Sequence, residues 1–327
     1  MQYRAERYQN CERFNEQYHD IYQFLLEAEK LAYNEHFHWG RFEWMHAHSY
    51  LDQGKLTSIV IFKDESDTIV GLITYDTGYD DRTYLIHTSS DKTLLAAMID
   101  TVLEQEDSRA VIKANAGDTI LCQLLQKRGF EKKHRDLCVL ELDLTAPLEY
   151  RIPDPYAISP KGFPADPWQY QLVIHKGFGN TDTPEKWDEA LLERIPHRNE
   201  DLNTFAIADG EYCAHCGLWY TEGDTAYVEP VVTLPQHRKQ GLAKAAILKP
   251  AIAHGLWAQS VPPFCLTRRF ITGSDSSFPR KCIGGRKGNE ERDSKSSRGG
   301  RIDHGSGSLV TAHDGGDVPR VFQGIPE

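Results

Sequence analysis

The chain has 327 residues, enough for about two domains with ordinary buried cores. Its 40% hydrophobic and 26% charged residues are those of a globular protein. No apolar run reaches the ~18 residues of a membrane span, and the opening MQYRAERYQN lacks the apolar core of a signal peptide. A formal charge of −11 argues against nucleic acid as the main partner and suits attraction of a cationic substrate such as an amine. Seven irregularly spaced cysteines fit a reducing, cytoplasmic compartment better than a disulfide framework.

Tyr18, Ile21, Leu25 and Leu26 recur at helical spacing, which predicts a helix within residues 13–34. The following HFHWGRFEWMHAH carries His36, His38, His46 and His48 around Trp39 and Trp44. HxH spacing can bind a metal, but no carboxylate–cysteine set nearby completes a site, so packing is the expectation. SIVIF (58–62) and IVGLITY (69–75), parted by KDESDT, predict paired strands, with TYLIH (83–87) as a third. DKTLLAAMIDTVLEQ (91–105) is a predicted helix, AVIKA (110–114) a strand, DTILCQLLQKRGF (118–130) a helix with Gly129 near its end, and LCVLELDL (137–144) a strand.

Residues 145–167 hold six prolines, too dense for a helix or a central strand, and are expected to link two domains. The order then repeats: helix 185–195, strand 204–208, the turn Asp209-Gly210, strands 212–220 and 226–233, and a helix from about Gln240. Gly71-Leu72 and Gly217-Leu218 fall at matching places, so two copies of one α+β plan are predicted. Cys213 and Cys216 form a lone CxxC inside a strand, where alternation puts positions three apart on opposite faces and excludes a shared metal.

Arg238-Lys239-Gln240-Gly241-Leu242-Ala243 stands where a strand hands over to a helix. The first amides of a helix lack intrahelical partners and point at the preceding loop, which makes an anion site suited to a pyrophosphate. Gly241 lets a ligand approach the backbone, and Arg238 and Lys239 add full charges.

The run EPVVTLPQHRKQGLAKA resembles the acetyl-CoA-binding motif of the GNAT N-acetyltransferases. The resemblance covers residues 168–250 and extends more weakly to 1–145. It implies an α+β fold of two tandem GNAT-like lobes, each a mixed, mostly antiparallel sheet flanked by helices. Residues 1–145 are then a degenerate lobe, with His87-Thr88-Ser89-Ser90 in place of the glycine loop, and 146–167 a linker. Residues 168–256 form the lobe that binds acetyl-CoA as co-substrate, with no metal. The histidine-rich stretch would border the substrate cleft or the contact between lobes.

By position, Val231, Val232 and Thr233 would line the pantetheine arm, and Arg238, Lys239, Gln240, Gly241, Leu242, Ala243 and Lys244 would hold the phosphates. The implied activity is direct attack of a small-molecule or peptide primary amine on the thioester. Glu229 is the first candidate for the general base, His215 the reserve, and an amide near Val231 the oxyanion donor. Family members often carry a tyrosine as general acid on the last helix, but Pro279 stands in the nearest string here. A catalytically silent acyl-CoA-binding or interaction protein is the alternative.

Beyond Leu256 the periodicities fade, and residues 284–305 have almost no apolar side chains, so 257–327 read as a disordered tail on an incomplete lobe. Pro250 falls inside the expected helix, at a cost of ~3 kcal/mol. Two accounts stand: a reading frame shifted between about Leu248 and Trp257, or a divergent C-terminus. The first expects another frame of the coding DNA to encode an apolar strand, an amphipathic helix ending near Gly-Phe and a final strand. Sequencing that finds no such continuation leaves divergence.

Overall fold

In a computed structural model, the described residues are 2–9, 11–48, 51–76, 82–106, 110–132, 149–221, 225–253, 269–271 and 276–279. The expected strand 137–144 and most of the tail lie outside them. The elements of the first lobe are β1 (Arg4–Arg7), α1 (Glu16–Ala28), α2 (Trp39–Ala47), β2 (Val60–Lys63), β3 (Ile69–Tyr75), β4 (Arg82–His87), α3 (Lys92–Glu106), β5 (Val111–Ala114) and α4 (Thr119–Lys127). Those of the second are β6 (Ala157–Ile158), α5 (Pro167–Gly177), α6 (Glu189–Glu193), β7 (Asn203–Ala208), β8 (Glu211–Trp219), β9 (Thr225–Thr233) and α7 (Leu242–Ala253). Two short strands follow, β10 (Arg269–Ile271) and β11 (Ser276–Pro279).

The first sheet runs β1-β2-β3-β4-β5-β11, antiparallel except for the parallel pair β4/β5. Its inner strands β3 and β4 are apolar on both faces, because helices cover both. Tyr84 and Ile86 enter the core under α1 and α2, while Leu85 between them enters the core under α3 and α4. Asn15 starts α1 by accepting from the Tyr18 amide at 2.9 Å. Gly129 takes φ +84° just past α4 and ends that helix in the left-handed region.

The second sheet runs β10-β9-β8-β7-β6, with α7 on one face and α5 on the other. Asp209 and Gly210, both at positive φ, make the tight turn between β7 and β8. β6 arises inside the proline-rich stretch and is a two-residue edge strand. Pro167 opens α5, capped by Asp166 on the Gln169 amide at 2.7 Å. Pro250 does not end α7, which continues to Ala253. Within the stretch read as a disordered tail, β10 pairs parallel with β9 for three residues, and β11 joins the first lobe's sheet instead.

Alternation fails at the CxxC. The register jumps from Ala206↔Ala214 to Ile207↔Tyr212, so Cys213 is a bulge residue, and both cysteines sit in clusters facing α7 rather than on opposite faces.

The lobes meet where α2 lies on the second sheet. The backbone approaches closely at Gly40 of α2, where a Cβ would come within 2.4 Å of Trp219 Cβ and 2.7 Å of its Cγ. Trp219 is buried and its indole N–H donates to the Glu229 carbonyl at 2.9 Å, so it has little freedom to give way. Gly40→Ala should therefore destabilise the protein by ~1–3 kcal/mol, although alanine is the better helix former. The urea midpoint measures this, and a rise would contradict the close packing.

Candidate active site

β9 carries the candidate residues, and its open edge follows from its pairing. β10 covers only Thr225, Ala226 and Tyr227. Beyond them, among the described residues, the strand is paired on the β8 side alone, through Val228 and then Val231, Val232 and Thr233. The Leu234 amide donates to the Cys213 carbonyl across that side at 2.9 Å. Backbone groups alternate along a strand, so Val232 also faces β8, while Val231 and Thr233 direct their backbone groups at the open edge. The Val232 side chain is buried under α5, where a Cβ on Gly177 would come within 2.6 Å of its Cβ.

The loop after β9 has the shape of an anion cradle. Lys239 and Gly241 take φ +62° and +77°, an alternation that turns successive amides toward one side. Those of Gln240, Gly241, Leu242 and Ala243 make no hydrogen bond to any described residue. Among the described residues, a Cβ on Gly241 would have only the Arg151 carbonyl near it, at 3.9 Å. Leu242 and Ala243 bury their side chains and offer backbone alone, whereas Lys239 and Gln240 are exposed and Lys244 is half-buried. Arg238 is partly engaged elsewhere: its Nε donates to the Thr233 carbonyl at 3.2 Å and its Nη2 to the Gly177 carbonyl at 3.1 Å.

The corresponding place in the first lobe is filled by the chain itself. Asp91 accepts from the Thr93 amide at 2.7 Å at the start of α3 and takes the Tyr3 hydroxyl at 2.8 Å. These bonds, the amide first, hold its carboxyl below the ordinary carboxylate range, so a negative charge already stands at that helix N-terminus. At the end of β4, the Asn34 side chain donates to the His87 carbonyl at 2.7 Å and accepts from its amide at 3.3 Å. Tyr33 stacks on the His87 ring at 4.7 Å, and Asp118 takes His87 Nε2 at 2.7 Å. A side-chain amide thus occupies the backbone edge that, in the second lobe, has no partner among the described residues.

Glu229 faces a cleft between the lobes lined by Trp44, Arg198, Asn203, Gly217 and Trp219. Burial raises its carboxyl pKa above the ordinary value, against the lowering charge of Arg41 and a 3.3 Å hydrogen bond from the Tyr227 hydroxyl. Arg41, which reaches in from α2, carries no periodicity signal that singles it out in the sequence.

His215 lies in the interior between the rings of Phe205 and Tyr170, at 4.8 and 4.6 Å. Its Nδ1 donates to the Thr204 carbonyl at 3.2 Å, and its Nε2 has no partner among the described residues. In the histidine-rich stretch, His38 stacks on Tyr227 across the lobe contact, and His46 is fully buried among Tyr8, Phe14, Tyr18 and Phe42. Burial pushes the pKa of His46 and of His215 down to about 3.

Residues 174–252 match the acetyltransferase (GNAT) family, and the chain carries a GNAT acetyltransferase domain across that stretch, from α5 to α7. Acyl transfer is the reaction class of that family. Among solved structures, the chain resembles a tandem GNAT protein from the clavulanic acid biosynthesis pathway (TM-score 0.49, 10% identity, 85% of this chain and 97% of that one). It also resembles a GCN5-related N-acetyltransferase from Sphaerobacter thermophilus (TM-score 0.47, 13% identity, 87% and 89%). No curated protein matches the chain in sequence. Among the described residues, no helix is long and apolar enough to cross a membrane.

The buried histidines make stability depend on pH. Unfolded, each binds a proton below about 6.5; folded, His46 and His215 refuse it down to about 3. Their contribution is present above 6.5 and is lost as the pH falls, by about 1.4 kcal/mol per pH unit for each refused proton. Glu229 works in the opposite sense, since its folded carboxyl retains a proton that the unfolded one releases. Urea midpoints at pH 7.5 and 5.5 should show the fall, and His215→Phe should make it shallower by one proton. An unchanged slope in that variant would mean that His215 charges inside the fold.

Proposed function

We propose that the second lobe transfers an acetyl group from acetyl-CoA to a primary amine, in a reducing, cytoplasmic setting. The observation that carries this reading is that one strand joins the two halves of the required site. β9 presents Glu229 to the inter-lobe cleft, then a backbone edge at Val231 and Thr233 and the first amides of α7, neither of which has a partner among the described residues.

Acetyl-CoA supplies a thioester activated toward nitrogen. The pyrophosphate is held by the amides of Gln240 to Ala243 and the Lys239 charge, with Gly241 leaving room for close approach. The open backbone of Val231 and Thr233 receives the pantetheine amide bonds as an added strand would, and the Val231 amide is the donor to the developing oxyanion. An ammonium has no lone pair to attack with, so Glu229 accepts its proton, directly or through one water. The raised carboxyl pKa of Glu229 brings it nearer the working pH, where a base is most effective. The first lobe holds no CoA, because Asp91 and Asn34 occupy the corresponding positions.

Acetyl-CoA should raise the melting temperature of the full chain, with a stabilisation of about 2.7 kcal/mol at a hundredfold excess over Kd. Gly241→Val should abolish the shift, because a branched residue is strained at φ +77° and fills the phosphate space. In turnover with a panel of primary amines, Glu229→Gln should keep acetyl-CoA binding and lose roughly a hundredfold or more in kcat. Binding without turnover in the parent chain would favour a silent acyl-CoA-binding protein.

A further inference from the structure

The first lobe takes part in the second lobe's site through Arg41. This side chain stands on the first turn of α2, between the close-packed Gly40 and the buried Phe42, so the helix aims it at β9. Its Nη1 donates to the Tyr227 hydroxyl at 3.1 Å, and its Nη2 is bonded to the Asp76 carboxylate, just past the end of β3. The Tyr227 hydroxyl in turn meets Glu229 Oε2 at 3.3 Å. A phenol has one proton, so a hydroxyl that accepts from a guanidinium is left to donate to the carboxylate, and the chain of bonds runs one way from Arg41 to Glu229. The Tyr227 ring cannot turn away, because it is buried and stacked on His38 at 5.0 Å.

The charges do not balance within this cluster. Arg41 is one cation facing two carboxylates, Asp76 and Glu229, and these are the charges that act on Glu229. The other polar groups around it are otherwise engaged. Arg198, in the segment after α6, is paired with Glu200 at 2.9 Å. The Tyr170 hydroxyl of α5 donates to Asn203 at 3.1 Å. Trp219 of β8 is bonded to the Glu229 carbonyl, and burial keeps the Cys216 thiol of the same strand protonated. The buried Nε of Arg41 has no partner among the described residues.

We infer that Arg41 of the first lobe is a positioning residue for the second lobe's reaction, orienting Glu229 through Tyr227 and sharing its single charge between Glu229 and Asp76. This rests on the reading of Glu229 as general base. The two carboxylates compete for one cation, so removing the cation and removing the competitor act on Glu229 in opposite directions. A role in packing alone produces no such opposition.

The test is a titration of the full chain labelled with carbon-13 at its glutamate carboxyls and followed by NMR, the Glu229 signal being assigned by its loss in Glu229→Gln. Arg41→Gln should move the Glu229 midpoint up and Asp76→Asn should move it down, each by about one pH unit. Arg41→Lys, which keeps the charge, should stay near the parent. An unmoved midpoint in Asp76→Asn, or shifts of the same sign in Arg41→Gln and Asp76→Asn, would overturn the inference. Should Arg41→Gln fail to fold, Asp76→Asn decides alone. The base reading fails separately, if Glu229→Gln retains the parent's kcat, whatever the midpoints do.

Discussion

The contact on which this molecule depends is helix α2 of the first lobe lying flush on strands β8 and β9 of the second. Only a residue without a side chain fits at Gly40, where the backbone approaches Trp219. Once the helix is that close, its neighbours must deal with the second lobe as well. Arg41 reaches Tyr227, and Glu43 is fully buried with both oxygens engaged. Glu43 takes the Tyr18 hydroxyl at 2.7 Å, the His197 amide at 2.7 Å and His197 Nδ1 at 2.6 Å. A buried carboxylate with one partner removed is costly, so this set holds the 195–199 segment, and with it one wall of the cleft, against the first lobe.

The two lobes solve one local problem in two ways. A strand ending at a helix N-terminus leaves backbone donors that need partners or a ligand. In the first lobe short polar side chains supply them: Asp91 at α3 and Asn34 at the end of β4. In the second, the equivalent loop has Gly241 at positive φ, Lys239 beside it and no acid, so the donors remain for a ligand. A carboxylate that stabilises one helix start also repels a phosphate there. Local stability and anion binding therefore exclude each other at that point.

Much of the fold was legible because both sheets are built from contiguous apolar runs. IVGLITY and AYVEPVVT mark their strands without ambiguity, and Gly129 and the Asp209-Gly210 turn lie where left-handed backbone is needed. Two helices escaped. α2 is rich in histidine and aromatics around its whole circumference, since it is buried between lobes and shows no polar face. α5 follows a proline-rich stretch, and Pro167, the last of those prolines, is its first residue. The turn between β9 and α7 was readable because its glycine and its basic residues lie within six consecutive residues. Arg41 was not, since it acts on a strand 186 positions away in the sequence, and no spacing rule spans such a distance.

A single stretch accounts for the unequal roles of the lobes. The residues just before α2 close the first lobe's own cleft, with Asn34 on the β4 edge and Tyr33 over His87. The residues of α2 itself wall the second lobe's cleft with Trp44 and Arg41. Residues 33–44 thus pack on the β4 edge of one lobe at one end and wall the cleft of the other lobe at the other end. Withdrawing Asn34 to open the first cleft would pull on the start of α2, where Gly40 has no slack against Trp219. The same packing holds Arg41 against the Tyr227 hydroxyl and Asn34 on the β4 edge.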